Sequence, residues 1–546
     1  MTRHMKLLNT SVRFSFSASC IGAIKAFILR YETTIIFLIL GIISIGTFIY
    51  FYQNGLGLAY NDARSHLDIG RRVVENLNPG AAQLGSVWLP LTHLLMGVTI
   101  WNDFMWHSGL AGALWSMISF VATGLVISLF LKELGIGFLG RFVGVAIFVA
   151  NINTLYLQST AMTELTLLGT MTVGAYYLLR WFKTENSLYL IYSAFFIMLA
   201  TLVRYDAWFM LFFAASIITL YTFKKYGYHR AEGIFIFFCT LAGLGVVLWL
   251  LWNLLIFKDP LYFAFGPYSA HAQQDQLNAA GVLPSKGNWL FSLKVYMYAM
   301  AYNTGAFTMF LGFLAAIFLW LDKKISIPAR IASSALIAPL LFNILALYLG
   351  HSVLYIQGIS GDTWFNVRYG IMMLPSIAIF VGYLVGRVKR PLGVTIIGLL
   401  AFVTFFQFSS ADAVTIDDAR VGSSQKNVTE VSGWLRENTK DKPGFILISA
   451  ASHDSVIFSS GLPMKKFIHE GAGAYYDAAL ANPDRWARWI VVRSYSNDDS
   501  TWRAMVDNPG FQYYQLVDHY PFADIYELKA EYLPDLITEP ILPKQW

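Results

Sequence analysis

The sequence predicts a polytopic α-helical membrane protein that carries a C-terminal soluble α/β domain. Three observations predict it. Of 546 residues, 56% are hydrophobic and only 13% are charged, against about 25% charged in an ordinary soluble domain. Apolar runs of about 17 to 25 residues recur through the first three quarters of the chain, each able to cross about 30 Å of hydrocarbon as a helix. Beyond residue 410 the texture changes to short β-rich runs broken by Gly, Pro and Asp, as in "KPGFILISAASHDSVIFSSGLP", "RWIVVRSY" and "YQLVDHYPFADIYELK".

Hydropathy places about eleven spans, at 34–52, 107–131, 137–155, 163–182, 188–203, 206–223, 232–257, 296–320, 331–350, 369–387 and 392–409. The first run, Thr34 to Phe51, is long for a signal peptide and lacks a small-residue cleavage site, so it reads as a retained span. Trp and Tyr sit near many span ends, where interfacial anchoring favours them. With the N-terminus inside, Arg3, Lys6, Arg13, Lys25 and Arg30 are cytoplasmic, as are the basic connections around Lys132, Lys183, Lys224, Lys323 and Arg387. The opposite loops are poorer in Lys and Arg, which is the positive-inside bias. The expected organisation is therefore a cytoplasmic segment 1–33, a membrane domain 34–409 with large outer loops 53–106 and 258–295, and an extracytoplasmic α/β domain 410–546. "NVTEVSGWLRENT" reads as an amphipathic helix before the first strand of that domain. Its Asn427 sequon is too common a pattern to imply glycosylation.

The net charge of +6 is dispersed between the spans, so membrane orientation explains it and a nucleic-acid partner is excluded. Cys20 and Cys239 have neither metal-ligand spacing nor a disulfide framework. No internal repeat is visible.

The densest titratable cluster follows the first span directly. "YNDARSHLDIGRRVVENL" has Ala63, Leu67, Gly70, Val74 and Leu77 at helical spacing, with Asp62, His66 and Arg72 on nearby faces. An amphipathic helix on the membrane surface, its Arg residues meeting lipid phosphates, explains Asp68 and the arginines equally well. Asp62 comes straight off the span, where a carboxylate can point into a cavity. Glu164 begins a later span on the same face; it reads as a helix-capping acid or as a second site carboxylate. An ionisable group at a span's edge is costly unless it faces protein or a wet cavity. Arg204 pairs locally with Asp206 in "LVRYDAW", or joins a site. Arg368 opens the tenth span in "FNVRYGIMMLP", where a guanidinium can grip a phosphate bidentately or snorkel to headgroups.

This order of motifs resembles the GT-C superfamily of multispanning glycosyltransferases that use polyprenyl-phosphate-linked sugars. The stretches "NDARSHL", "GSVWLPLTHLLM", "WNLLIFKDPLYFAFGPYSAHAQQ" and "FNVRYGIMMLP" look most similar to glycosyltransferase family 39 and the related protein mannosyltransferase and aminoarabinose transferase enzymes. The resemblance covers roughly residues 34–410 and leaves the C-terminal domain without a match. It implies Asp62 as catalytic base, Glu164 as a second acid, and Arg368 with Tyr369 beside the lipid phosphate, helped by His66 or Arg204. It also implies a hexosyl or pentosyl donor on polyprenyl phosphate and a protein, lipid or glycan acceptor, with inversion at the anomeric carbon. Many members have two adjacent acids in the first loop, whereas this chain has Asn61 before Asp62. Asn61 is a weaker ligand than a carboxylate, so the metal question (Mg or Mn) stays open. A lipid or solute transporter of the cell envelope is the competing class, since it would also carry rare intramembrane charges. Transporters tend to put such groups at the midplane of repeated halves, whereas these gather at one face.

Overall fold

In a computed structural model the apolar runs form a helical bundle joined to a small sheet domain. The structure describes residues 30–266, 269–410, 413–421, 425–496, 498–521 and 523–541. Most of the N-terminal segment, including Cys20 and the basic residues from Arg3 to Lys25, lies outside these, as does the side chain of Asn427.

The helices that position the site are α1 (Glu32–Gln53), α2 (Asn61–Val74), α3 (Leu110–Glu133), α4 (Phe138–Val149), α5 (Glu164–Thr184), α6 (Ser187–Thr201) and α7 (Asp206–Tyr226). They are followed by α8 (Tyr228–Ala242), α9 (Leu244–Phe257), α10 (Trp289–Thr304), α11 (Ala306–Leu321), α12 (Ile327–Leu349), α13 (Val367–Arg387) and α14 (Arg390–Ser409). Among the described residues, 6 helices are long and apolar enough to cross a membrane, or up to 8 if the bent pairs α8–α9 and α10–α11 each make one span. The helices α4 and α6 are apolar but shorter. Helix α5 is buried along almost its whole length and packs on α3 and α6 at the centre of the bundle.

Three expected spans are interrupted; one of them, 232–257, bends by 49° between α8 and α9. The run 137–155 ends its helix at Val149, because the Asn151 side chain accepts from Thr154 N at 2.9 Å and starts a separate short helix. The run 296–320 turns a 110° corner at Gly305, whose φ of 80° a residue with a Cβ rarely adopts. A hydropathy window averages across such breaks.

Charged residues sort to the two ends of the bundle. At one end Arg141 holds Glu32 (2.6 and 2.8 Å), Lys183 holds Glu133 (2.7 Å) and Lys225 holds Glu185 (2.5 Å). Asp62 lies past the far end of α1, and Glu164, Asp206 and Arg368 lie at the starts of α5, α7 and α13. These four define the opposite end.

Beyond α14 come α15 (Val414–Val421), α16 (Gln425–Thr439), β1 (Phe445–Ile448), α17 (Ala450–Ser460), β2 (Phe467–Ile468), β3 (Ala487–Val492), β4 (Tyr514–His519) and β5 (Asp524–Leu528). The 5-stranded sheet has the order β2-β1-β3-β5-β4. Its first three strands are parallel, and β5 and β4 add antiparallel. The apolar run of β1 and residues 489–492 of β3 are buried throughout, as central strands require. Strand β4, of mixed composition and largely exposed, forms one edge of the sheet.

The sheet domain sits on α2 through α17. Arg72 Nη2 lies 3.4 Å from Asp454 Oδ1, Arg64 Nη1 donates to Ser459 Oγ at 3.3 Å, and Gln83 Nε2 donates to the Gly471 carbonyl at 2.6 Å. Arg71 is held by Glu75 and by Asp103, and donates to the carbonyls of Ile100 and Trp101. Helix α2 is therefore clamped between bundle and sheet, and its arginines meet protein groups in place of lipid phosphates.

Candidate active site

Three distant segments converge on the Arg368 guanidinium. Arg368 Nη2 donates to Asp62 Oδ2 at 2.6 Å, and its Nε donates to Glu164 Oε1 at 3.0 Å. Asp418, on α15, puts Oδ2 at 3.7 Å from Arg368 Nη1. Arg204 Nη1 reaches Glu164 Oε1 at 3.3 Å, and its Nε reaches Asp206 Oδ2 at 3.2 Å. Tyr369 stacks under the Arg204 guanidinium, 4.7 Å from its ring centre, and Tyr60 under Arg368 at 4.8 Å.

The backbone near each of these groups is tied down by amides. Asn303 Nδ2 donates to the Val367 carbonyl at 2.7 Å, one residue before Arg368. The Asn303 carbonyl, at the end of α10, accepts from Asn151 Nδ2 (2.7 Å) and Asn153 Nδ2 (3.2 Å), which fills an otherwise orphaned helix-terminal acceptor. Asn153 Oδ1 in turn accepts from Thr415 N and Oγ1, three residues before Asp418. At Gly370 the chain passes so close to α10 that a Cβ would lie 2.2 Å from the Ala299 carbonyl oxygen. The sequence motif "RYG" therefore needs its glycine for this approach.

Exposure separates the carboxylates. The Asp62 side chain is 40% exposed and Glu164 is fully buried. Arg368 is 6% exposed and Arg204 is 18%. Glu164 thus acts as an internal counter-ion for two arginines. Its neighbour Thr163 makes no side-chain cap, while Glu164 itself lies in the first turn of α5, where its charge also complements the helix dipole. Arg204 makes the local pair with Asp206 and joins the site as well. Arg368 is too buried to snorkel.

His66 is brought close but differs from the others. It is buried, shares a hydrogen bond of 2.9 Å between Nδ1 and His93 Nε2, and packs on Trp88. Burial, with the charges of Arg368 and Arg204, pushes its pKa down to about 3. A neutral ring is therefore part of the folded state. Because the folded pKa lies below the unfolded value of about 6.5, its contribution is present above about pH 6.5 and is lost as pH falls through about 3. Thermal unfolding in detergent should accordingly lose midpoint more steeply between pH 7 and pH 4 for the wild type than for His66→Gln. Parallel curves would refute this.

Asp68 is a further buried acid. It accepts from Trp106 Nε1 at 3.1 Å, and burial followed by the nearby Asp454 carboxylate raises its pKa well above the usual range.

Sequence reasoning missed Asp418, Asp206 as a site member, and Tyr60. Tyr60 donates to Asp418 Oδ2 at 3.0 Å, and burial raises its pKa so that it stays a donor. The available signal was "TIDDAR", an acidic pair directly after the last span on the same face as Asp62. The donor set does not fit a divalent cation: the site carboxylates are paired by arginines. Among the described residues, no group of three His, Cys, Asp or Glu side chains comes together to hold a metal.

A narrow crevice of about 20 Å³ opens beside Asp206. It runs into the bundle between Leu167, Met171, Met210, Leu336, Met372 and Pro375, and Asp206 is the charged residue of its lining.

No protein-family model matches the sequence, and no curated protein matches it. The fold matches solved structures. ArnT from Cupriavidus metallidurans bound to undecaprenyl phosphate superposes with a TM-score of 0.56 at 10% identity, covering 89% of this chain and 98% of that one. Its apo state gives 0.56 at 10% identity over 93% and 99%. The archaeal oligosaccharyltransferase AglB from Archaeoglobus fulgidus, in complex with an inhibitory peptide and a dolichol-phosphate, gives 0.47 at 11% over 85% and 70%. The chain thus shares its fold with ArnT over nearly the whole length of both.

Proposed function

We propose that the chain is a membrane glycosyltransferase that moves a sugar from a polyprenyl-phosphate donor to an acceptor hydroxyl on the outer face of the membrane. The observation that carries the proposal is the meeting of Asp62, Glu164, Arg204 and Arg368 at one end of the bundle, beside an apolar crevice. ArnT, which has a like fold, binds undecaprenyl phosphate. The polyprenyl tail lies between the helices and its phosphate meets Arg204 and Arg368, with Tyr369 behind them and His66 as a neutral donor.

A sugar on a lipid phosphate already has a good leaving group, so the reaction needs a base and positive charge at the departing phosphate. The acceptor oxygen bonds to the anomeric carbon from the face opposite the phosphate, which inverts that centre. The carbon–oxygen bond to phosphate breaks and its electron pair goes to the phosphate oxygen. The acceptor proton goes to the Asp62 carboxylate and then to water. Asp62 has the exposure for this, and Oδ2 is already fixed by Arg368.

The test is transfer of labelled sugar from a polyprenyl-phosphate pool by membranes holding the wild-type chain. Formation of a glycosidic bond is the expected result. Translocation of a lipid or solute without any such bond would favour the transporter. The proposal includes about eleven spans, a cytoplasmic N-terminus and an outer sheet domain. A reporter fused after Trp546 should then be active outside the cytoplasm, and one near Lys323 inside. Cytoplasmic activity after Trp546 would overturn the orientation and the face on which the site works.

A further inference from the structure

We propose that Asp418 is a positioning residue that sets how tightly the site holds the lipid phosphate, by keeping Arg368 partly neutralised so that the product can leave. The inference rests on the glycosyl-transfer reading and adds to it a residue outside the expected machinery.

Among the described residues, Asp62, Glu164, Asp206 and Asp418 face only Arg204 and Arg368, four carboxylates against two guanidiniums. Asp418 is not needed to balance charge. It is nonetheless buried, with a 3% exposed side chain. It is also held in place deliberately: Tyr60 donates to its Oδ2, and α15 is pinned to Asn153 through Thr415. The contact it makes is with Arg368 Nη1, the nitrogen that neither Asp62 nor Glu164 occupies.

The reaction explains the need. The donor is a phosphodiester with one negative charge, whereas the product lipid phosphate is a monoester carrying about 1.5 to 2 at pH 7. Guanidiniums that stabilise the departing phosphate therefore hold the product more tightly than the donor, and release slows turnover. A carboxylate fixed against the free edge of Arg368 opposes this. At such separations one unit charge is worth roughly one to two orders of magnitude in affinity.

The experiment measures binding of a polyprenyl phosphate of defined length to the full-length wild type, Asp418→Asn and Asp418→Glu in detergent, together with kcat and donor KM. Asp418→Asn keeps an acceptor for Tyr60 and removes excess negative charge, so it is expected to fold; Asp418→Ser supplies the same neutral test otherwise. The expected result is product binding at least about tenfold tighter, with donor KM and kcat both lowered, and wild-type values in Asp418→Glu. A merely structural role would weaken binding or reduce the active fraction at unchanged KM. Unchanged or weaker product binding in folded Asp418→Asn overturns the inference, as does tightening in Asp418→Glu. Wild type that neither binds polyprenyl phosphate nor transfers sugar ends the underlying reading instead.

Discussion

Asp62→Asn is expected to leave the chain folded and able to bind donor while lowering sugar transfer by about 10²–10⁴-fold, the usual contribution of a positioned general base. The amide is nearly isosteric. Its oxygen still accepts from Arg368 Nη2, so the 2.6 Å contact that orients the group survives. The lost ion pair weakens the fold little, because the Asp62 side chain is 40% exposed and solvent screens the charge. The amide cannot take the acceptor proton. Wild-type turnover in Asp62→Asn would sink this mechanism.

Glu164→Gln is the comparison that separates base from counter-ion. Glu164 is fully buried and holds two guanidiniums, so neutralising it disturbs the arginines and the packing together. A variant that loses transfer with intact stability identifies a chemical role; one that loses both identifies a scaffold role. Asp62→Asn is expected to be of the first kind and Glu164→Gln of the second.

Much of this was legible in the sequence because it rests on local signals. A charged cluster directly after the first span, an acid at the start of α5 and an arginine at the start of α13 are each costly placements that call for a reason. The sheet strands were legible as short apolar runs between breakers. Hidden were features that depend on contacts distant in sequence. Asp418 reads as a solvated connector residue until Tyr60, 358 positions away, is seen to hold it. For the arginines of α2 a lipid-facing reading stayed open until the sheet domain supplied Asp454 and Ser459. The corner at Gly305 was hidden for another reason: apolar residues continue on both sides of it, so composition does not register the turn.

The second large effect is on Arg368, and it is structural as well as chemical. Its Nε and Nη2 are already engaged by Glu164 and Asp62, and it is 6% exposed. Arg368→Ala would leave Glu164 fully buried with Arg204 alone, and Asp418 without its cation. Removing one partner of a buried charge network costs about 3–5 kcal/mol, so this variant should unfold earlier on heating as well as lose transfer. Arg368→Lys keeps the charge and loses the planar fork that reaches two carboxylates at once. It should fold and turn over far more slowly. The two roles separate in a charge-compensated pair, Arg368→Met with Glu164→Gln, which removes one charge of each sign. Thermal stability should recover relative to Arg368→Ala, while transfer and polyprenyl-phosphate binding should not. Recovery of transfer in that pair, or wild-type stability and turnover in Arg368→Ala, would show that the phosphate is held elsewhere. The expected separation follows from the geometry: Arg368 holds the fold through its pair with a buried carboxylate, while Nη1, which neither Asp62 nor Glu164 occupies, is the edge left for the proposed phosphate contact.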